Sequence, residues 1–140
     1  MSLSLYIEDI KSKLVVGDNP APVVDGPVGF ALNSQNERTF VSVSETSIGY
    51  EPTDAVNVYS LMIDLEIGIH VERAAVDRTN FHLKRARGIF DDVWAILGVM
   101  TVAGFQVIRT GAERQDSDDS STVVYIINAI LHVRQKNGSC

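Results

Sequence analysis

The chain has 140 residues, 45% of them hydrophobic and 21% charged, which suits one folded domain and argues against global disorder. A net charge of −6 and a pI near 4.9 exclude a broad basic surface for nucleic-acid phosphates. The one cysteine, Cys140, excludes an intramolecular disulfide and a thiolate zinc cluster. Without a secretory signal or a run of ~18 apolar residues, we expect a soluble intracellular protein.

The first half of the chain begins with a predicted helix over 3–14, where apolar residues recur at helical spacing. A proline-rich linker follows, within which Val23 and Val24 predict a short extended segment against a sheet edge. Short strands near 28–33 and 40–43 are predicted to form a hairpin. Gly49 and Pro52 then predict a loop over 45–54.

The strongest pattern in the chain is a long strand over about 56–72. Its odd-numbered positions from Tyr59 to Val71 are all apolar, whereas Ser60, His70 and three carboxylates share the even-numbered side. Alternation of this kind predicts a central strand with one buried and one wet face. Seventeen residues would reach about 55 Å, far beyond an ordinary strand, so the strand must bend or one of its ends must leave the domain. We interpret the excess length as a route to subunit contact.

The second half is predicted to contain a helix over about 78–97, whose stripe includes Phe90, Val93 and Trp94 and would cover the long strand. Gly98 is interpreted as its C-terminal stop and Gly88 as a close approach to the sheet.

Two strands follow that helix, near 104–110 and 122–134, and the second has apolar residues on both faces. A flexible acidic loop over 111–121 joins them, and 135–140 is a polar tail. These elements predict a single α+β domain over 1–140, in which two helices pack on a mixed, mainly antiparallel sheet.

The sequence offers little chemistry. It contains none of the common nucleotide-binding, serine-hydrolase or zinc-protease motifs. His70 lies at strand spacing from Asp64, Glu66 and Glu72, which could hold a divalent metal, but no second histidine joins them and we favour an ordinary wet face. Adjacent acids on a helix, such as Asp91 and Asp92, diverge by about 100°. We therefore predict no catalytic residue, no metal and no cofactor.

One basic cluster stands out, consisting of Lys84, Arg85 and Arg87 on the second helix. We favour a solvated helix face. The alternative is a docking surface for an acidic partner, such as the 111–121 loop of a neighbouring copy in a heterologous contact.

The order of elements resembles the tail terminator proteins of tailed bacteriophages, the minor-tail-protein-U-like group. The features that carry the resemblance are the N-terminal helix, the NPAPVV segment at 19–24, the long strand over 58–71, the helix that ends in Phe90, Trp94 and Leu97 before Gly98, and the terminal strand over 123–133.

This resemblance implies a virion protein that is assembled in the host cytoplasm. The resemblance also implies a ring, usually a hexamer, between the tail tube protein and the neck or connector protein. DNA passes through the ring without specific binding, since an acidic lumen repels it. The candidate lumen or assembly acids are Asp64, Glu66, Glu72, Glu113, Asp116, Asp118 and Asp119.

Two alternatives remain. One is a different phage neck or tail-completion protein, or another small virion assembly protein. The other is a small α+β enzyme or ligand-binding protein with a pocket between the second helix and the sheet.

Overall fold

A computed structural model describes residues 3–14, 21–26, 39–52, 58–73, 81–116 and 122–136. They form an α+β fold, as predicted, with a curled mixed sheet of six strands and two helices. In chain order the elements are α1 (Leu3–Lys13), β1 (Val23–Asp25), β2 (Thr39–Pro52), β3 (Val58–Glu72), α2 (Phe81–Val99), β4 (Thr101–Val102), β5 (Phe105–Asp116) and β6 (Thr122–Lys136). The strands lie in the order β1-β2-β3-β6-β5-β4, and only β1 and β2 are parallel neighbours.

The predicted long strand is confirmed as β3, which lies at the centre of the sheet. Its residues pair with β2 from Tyr59 to Val71 and with β6 along the whole strand. The prediction that its excess length provides a subunit contact is therefore wrong as far as its edges are concerned, because both already belong to the same chain. An unpaired strand edge in this sheet therefore belongs to a strand other than β3.

Both helices share one hydrophobic core with a single face of the sheet. The odd-numbered side chains of β3 and β6 lie on that face, and nearly all are buried, such as Ile63, Ile67 and Leu131. Helix α1 contributes Tyr6, Ile7 and Ile10, and α2 contributes Ala86, Ile89, Val93 and Leu97. Burial of side chains of this size stabilises the fold by roughly 1.5–3 kcal/mol each. We call this the helix-covered face, and the opposite one the helix-free face.

Strands β2 and β5 are longer than predicted. Each continues through a β-bulge, and the bulge interrupts the alternation of side chains from which strand length is predicted. The pairing register shifts between Glu45 and Ser47 in β2, and between Arg109 and Gly111 in β5. The loop predicted over 45–54 is thus wrong up to Pro52, and the acidic loop predicted over 111–121 is wrong for residues 111–116. Strand β6 continues through the first two residues of the predicted polar tail. The strand predicted near 28–33 lies outside the described residues.

A tight turn joins β4 to β5. Val102 pairs with Phe105, and the two residues between them have positive φ angles, 52° at Ala103 and 86° at Gly104. Positive φ at both central positions is typical of a type I′ hairpin turn. Sequence patterns did not predict β4, because a two-residue strand has no periodicity.

Candidate functional site

The helix-free face carries most of the acids that the sequence singled out. Asp64 and Glu66 are half-buried and Glu72 is exposed, all on even-numbered positions of β3. Glu113 of β5 pairs with Ile126 of β6, which pairs with Gly68 of β3, so its exposed side chain belongs to the same face. The structure thus brings four of the seven candidate acids onto one face.

The side chains of the other three candidate acids are not described by the structure. Asp116 is the last residue of β5, and its side chain is not among those described. Asp118 and Asp119 lie outside the described residues. A contribution of these three to a lumen or to assembly stays a prediction.

The basic cluster lies on the opposite side of the sheet. Lys84 and Arg87 are exposed on α2 and Arg85 is half-buried, while the buried side of the helix faces the core. None of the three forms an ion pair with a carboxylate in the part of the chain that the structure describes. Of the residues that the sequence singled out, those acids whose side chains are described therefore lie on the helix-free face, and the bases lie on the helix side. Docking of an acidic partner on these bases stays a prediction.

His70 does not lie on a wet face as predicted. Its side chain is only 1% exposed, stacks on Phe40 with ring centroids 4.3 Å apart, and has Nε2 3.3 Å from Ser42 Oγ. Burial removes water from the imidazole and lowers its pKa to about 4. The buried ring is therefore neutral at physiological pH.

The metal site considered at His70 does not form. Among the residues that the structure describes, no three histidine, cysteine, aspartate or glutamate side chains are grouped closely enough to hold a metal ion. The ring of His70 packs between neighbouring strands instead of joining the acids further along β3.

The described helices also include none that is long and apolar enough to cross a bilayer.

The interface between α2 and the sheet, where a ligand pocket was the alternative prediction, is filled by side chains. The ring of Phe90 stacks on that of Trp94, with centroids 5.8 Å apart, and lies 5.1 Å from the ring centroid of Tyr125. Val93 and Leu97 of the same helix are fully buried. A surface hollow of about 330 Å³ lies instead between α1, the end of β1 and the middle of β2. Glu8, Asp25 and Glu45 surround it, and Lys11 bridges the first two.

A second cluster fixes β5 to the end of α2. The guanidinium of Arg109 lies 4.4 Å from the centre of the Trp94 ring, and its Nη1 donates a 3.0 Å hydrogen bond to the Trp94 carbonyl. A Cβ at Gly98 would lie 3.0 Å from Arg109 Cζ, whereas one at Gly88 would meet nothing within 4 Å. The predicted close approach at Gly88 is therefore wrong. It occurs at Gly98.

The feature that sequence patterns missed is a pair of exposed strand segments. Residues 45–50 of β2 are all exposed, including Ile48 on the same side of the sheet as Ile63. Residues 108–110 and 112–115 of β5 are exposed as well, including Ile108. The alternation of Ser47, Ile48 and Gly49 was a usable strand signal, but Gly49 and Pro52 favoured a loop.

Comparison with known proteins yields a similarity of fold. No protein-family model matches the chain, and no curated protein matches it. A chain in the solved structure of the virion of a native gene transfer agent (GTA) particle has a similar fold, with a TM-score of 0.54 and 13% sequence identity. The similarity covers 81% of this chain and 78% of that chain.

Proposed function

We propose that this chain is a structural protein of a tailed-phage-type virion that forms a ring, of about six copies, at the end of the tail tube. The observation that carries the proposal is the fold shared with a chain of a gene transfer agent virion, a phage-like particle, over about four-fifths of both chains. The resemblance in element order to tail terminators supports the finer assignment. In this role the ring joins the tail tube protein to the neck or connector protein and has no catalytic function.

The charge distribution supports a lumen lined by the helix-free face. Asp64, Glu66, Glu72 and Glu113 share that face, whereas Lys84 and Arg87 lie beyond the helices. A ring would repeat each acid once per copy around the passage. Because like charges repel at short range in such a channel, DNA would pass through without being held.

A different neck or tail-completion protein of the same kind of virion is the second candidate. The fold similarity supports a virion component in general and favours neither position. Labelling separates the two: a tag on this protein should mark one ring at the head–tail junction of purified particles. Label at the distal tail or within the capsid would contradict the terminator assignment.

The lumen assignment has a sharper test. Glu66→Lys with Glu72→Lys reverses two charges on the helix-free face, and Asp91→Lys with Asp92→Lys makes the same charge change on exposed positions of α2. Both proteins should fold and assemble. DNA delivery by particles should fall at least tenfold for the first pair and stay near wild type for the second. Equal delivery by both would contradict the assignment of this face to the lumen.

A further inference from the structure

The sheet has two edges that no described residue covers. Strand β1 pairs with β2 only from Val41 to Val43, which leaves the β2 edge open over residues 44–52. Strand β4 pairs with β5 at Phe105 and Gln106, and Val107 donates a last hydrogen bond to the Met100 carbonyl, which leaves the β5 edge open over residues 108–116. We refer to these segments as the β2 edge and the β5 edge.

Both edges have the properties of strands that recruit another strand. Each has nine residues, and each carries an exposed isoleucine, with Ile48 48% and Ile108 54% exposed. Neither contains a lysine, the residue that most often protects an edge, and Pro52 lies only at the last position of the β2 edge. The unpaired N–H and C=O groups along a strand edge of this length are a template for pairing with another chain.

We infer that the β2 edge of one copy pairs with the β5 edge of the next copy, so that a continuous β-sheet closes the ring. This inference rests on the proposed function and deepens it. The strands β2, β3, β6 and β5 are antiparallel in succession, so β5 runs opposite to β2. A neighbouring copy placed beside the first therefore adds its β2 to β5 in antiparallel fashion, and the alternation continues unbroken.

The positions of the two edges along the sheet fit a closed ring. Ser44 and Pro52 lie beside Glu66 and Tyr59 of β3, whereas Ile108 and Asp116 lie, through β6, at the level of Asp64 and Val71. The edge centres thus differ by about five residues, or ~17 Å at ~3.3 Å per residue. Each copy adds four strand spacings to the ring, including the spacing to the next copy, which amount to ~19 Å. The resulting strand tilt of about 40° falls within the ~35–45° of closed barrels.

The curvature of the sheet points in the same direction. Helix α1 connects two opposite corners, because Lys11 pairs with Asp25 of β1 at 3.0 Å and Lys13 donates a hydrogen bond to the Thr101 carbonyl of β4. Contact of this one short helix with both corners implies that this diagonal bends towards the helices. A twisted sheet is saddle-shaped, so the other diagonal, which ends at the two open edges, bends towards the helix-free face. Copies joined at these corners enclose that acidic face.

Charge favours this head-to-tail contact over a symmetric one. The β2 edge contains Glu45 and Glu51 and no basic residue, so two β2 edges would place like charges together. The β5 edge contains Arg109 and Arg114. Glu45 and Arg114 both lie on the helix side of the sheet by their register with Leu65 and Tyr125, so opposite charges meet when the edges pair.

Disulfide trapping tests the inference. In a Cys140→Ser background, Ile48→Cys and Ala112→Cys place thiols on exposed positions of the same side of the sheet, one on each edge. Cysteines on directly paired strands come within the 4.4–6.8 Å between Cα atoms that a disulfide requires. The double variant should give a ladder of cross-linked copies on mild oxidation, and more than half of the protein should migrate above the monomer. A second double variant carries Arg114→Cys in place of Ala112→Cys, which covers a pairing register shifted by two residues.

The single-cysteine variants and the assembly state distinguish head-to-tail pairing from symmetric pairing and from a monomer. Each single variant should stay uncross-linked, whereas cross-linked dimers from either would mean symmetric pairing and overturn the inference. A ring by mass photometry that gives no ladder in either double variant would overturn the inference and leave the proposed function intact. A protein that stays monomeric would overturn both.

A charge variant provides an independent readout. Ile48→Lys should reduce ring formation at least tenfold without loss of folding, and Leu5→Lys on α1, a similarly exposed position at 55%, should not. Equal assembly by both would count against the β2 edge.

Discussion

The two ends of the helix-free face differ in how far their side chains are exposed to solvent. At one end His70 is 1% exposed, and Phe40, Val124 and Ile126 around it are buried. At the other end Met62 is 41% exposed, and the facing His132 is exposed too. Both ends belong to even-numbered positions of β3 and β6, and the alternation of the sequence is the same in both. The period of a strand thus determines which side chains share a face, but not what covers that face.

The first and largest test compares the two faces themselves. Leu65→Asp places a carboxylate in the helix-covered core, where a charge without a partner costs more than the whole free energy of folding of many domains. We expect insoluble or unfolded protein. Glu66→Gln, the next residue and half-buried on the helix-free face, should leave the thermal transition nearly unchanged. Circular dichroism of both variants checks this, and equal loss of soluble protein would refute the assignment of faces.

The second test compares two isoleucines on the helix-free face. Ile126 is 3% exposed at the buried end, so Ile126→Ala should lower the free energy of unfolding by about 2–4 kcal/mol. Ile108 lies at the open edge, so Ile108→Ala should change it by less than about 0.5 kcal/mol in the monomer. Urea denaturation measures both. Similar values would show that the two ends of the face are not differently covered.

The third test uses pH. Because burial lowers the pKa of His70 to about 4 in the folded protein, the unfolded chain, with a histidine pKa near 6.5, binds more protons between these values. The stabilisation is fully present above pH ~6.5 and is lost as pH falls towards 4, by about 2 kcal/mol at pH 5 relative to pH 7.5.

Two histidine variants isolate that effect. His70→Gln should remove this part of the pH dependence, whereas His132→Gln, at the exposed end and hydrogen-bonded to Ser60, should retain it. Denaturation curves at pH 5 and pH 7.5 for wild type and both variants provide the comparison. An unchanged pH slope in His70→Gln would contradict a neutral, buried imidazole.

The sequence predicted the centre of the fold better than its edges. The central strand and the stripe of α2 were predictable because their apolar residues keep one period over many positions. Strands β2 and β5 were not, because each bulge inserts one residue and shifts the alternation. The side chains on the helix-covered side are Val41 and Val43 before the bulge and Ile48 after it, so odd-numbered positions give way to even-numbered ones where the strand continues. His70 was misplaced for a different reason, since its cover comes from other strands.

The acids of the candidate lumen show the same limit. Asp64 and Glu66 were placed on one face by their spacing alone. That Glu113 joins them depends on the register of β5 against β6, which is set after the bulge at Arg109 and Gly111. A long-range register of this kind cannot be read from one segment, because it depends on which strands pair and where.

The smallest expected effect concerns two serines of β2. Ser42 is buried beside His70 Nε2, whereas Ser47 is exposed on the same face near the other end. Ser42→Ala leaves the imidazole nitrogen without this partner, which costs about 1–2 kcal/mol, and Ser47→Ala should cost less than about 0.5 kcal/mol. A double-mutant cycle with His70→Gln should give a coupling energy of at least ~0.5 kcal/mol for Ser42 and none for Ser47. If Ser42 shows no coupling, the contact between the hydroxyl and the ring does not stabilise this end of the face, and its resistance to unfolding must come from apolar packing on Phe40 and Ile126 alone.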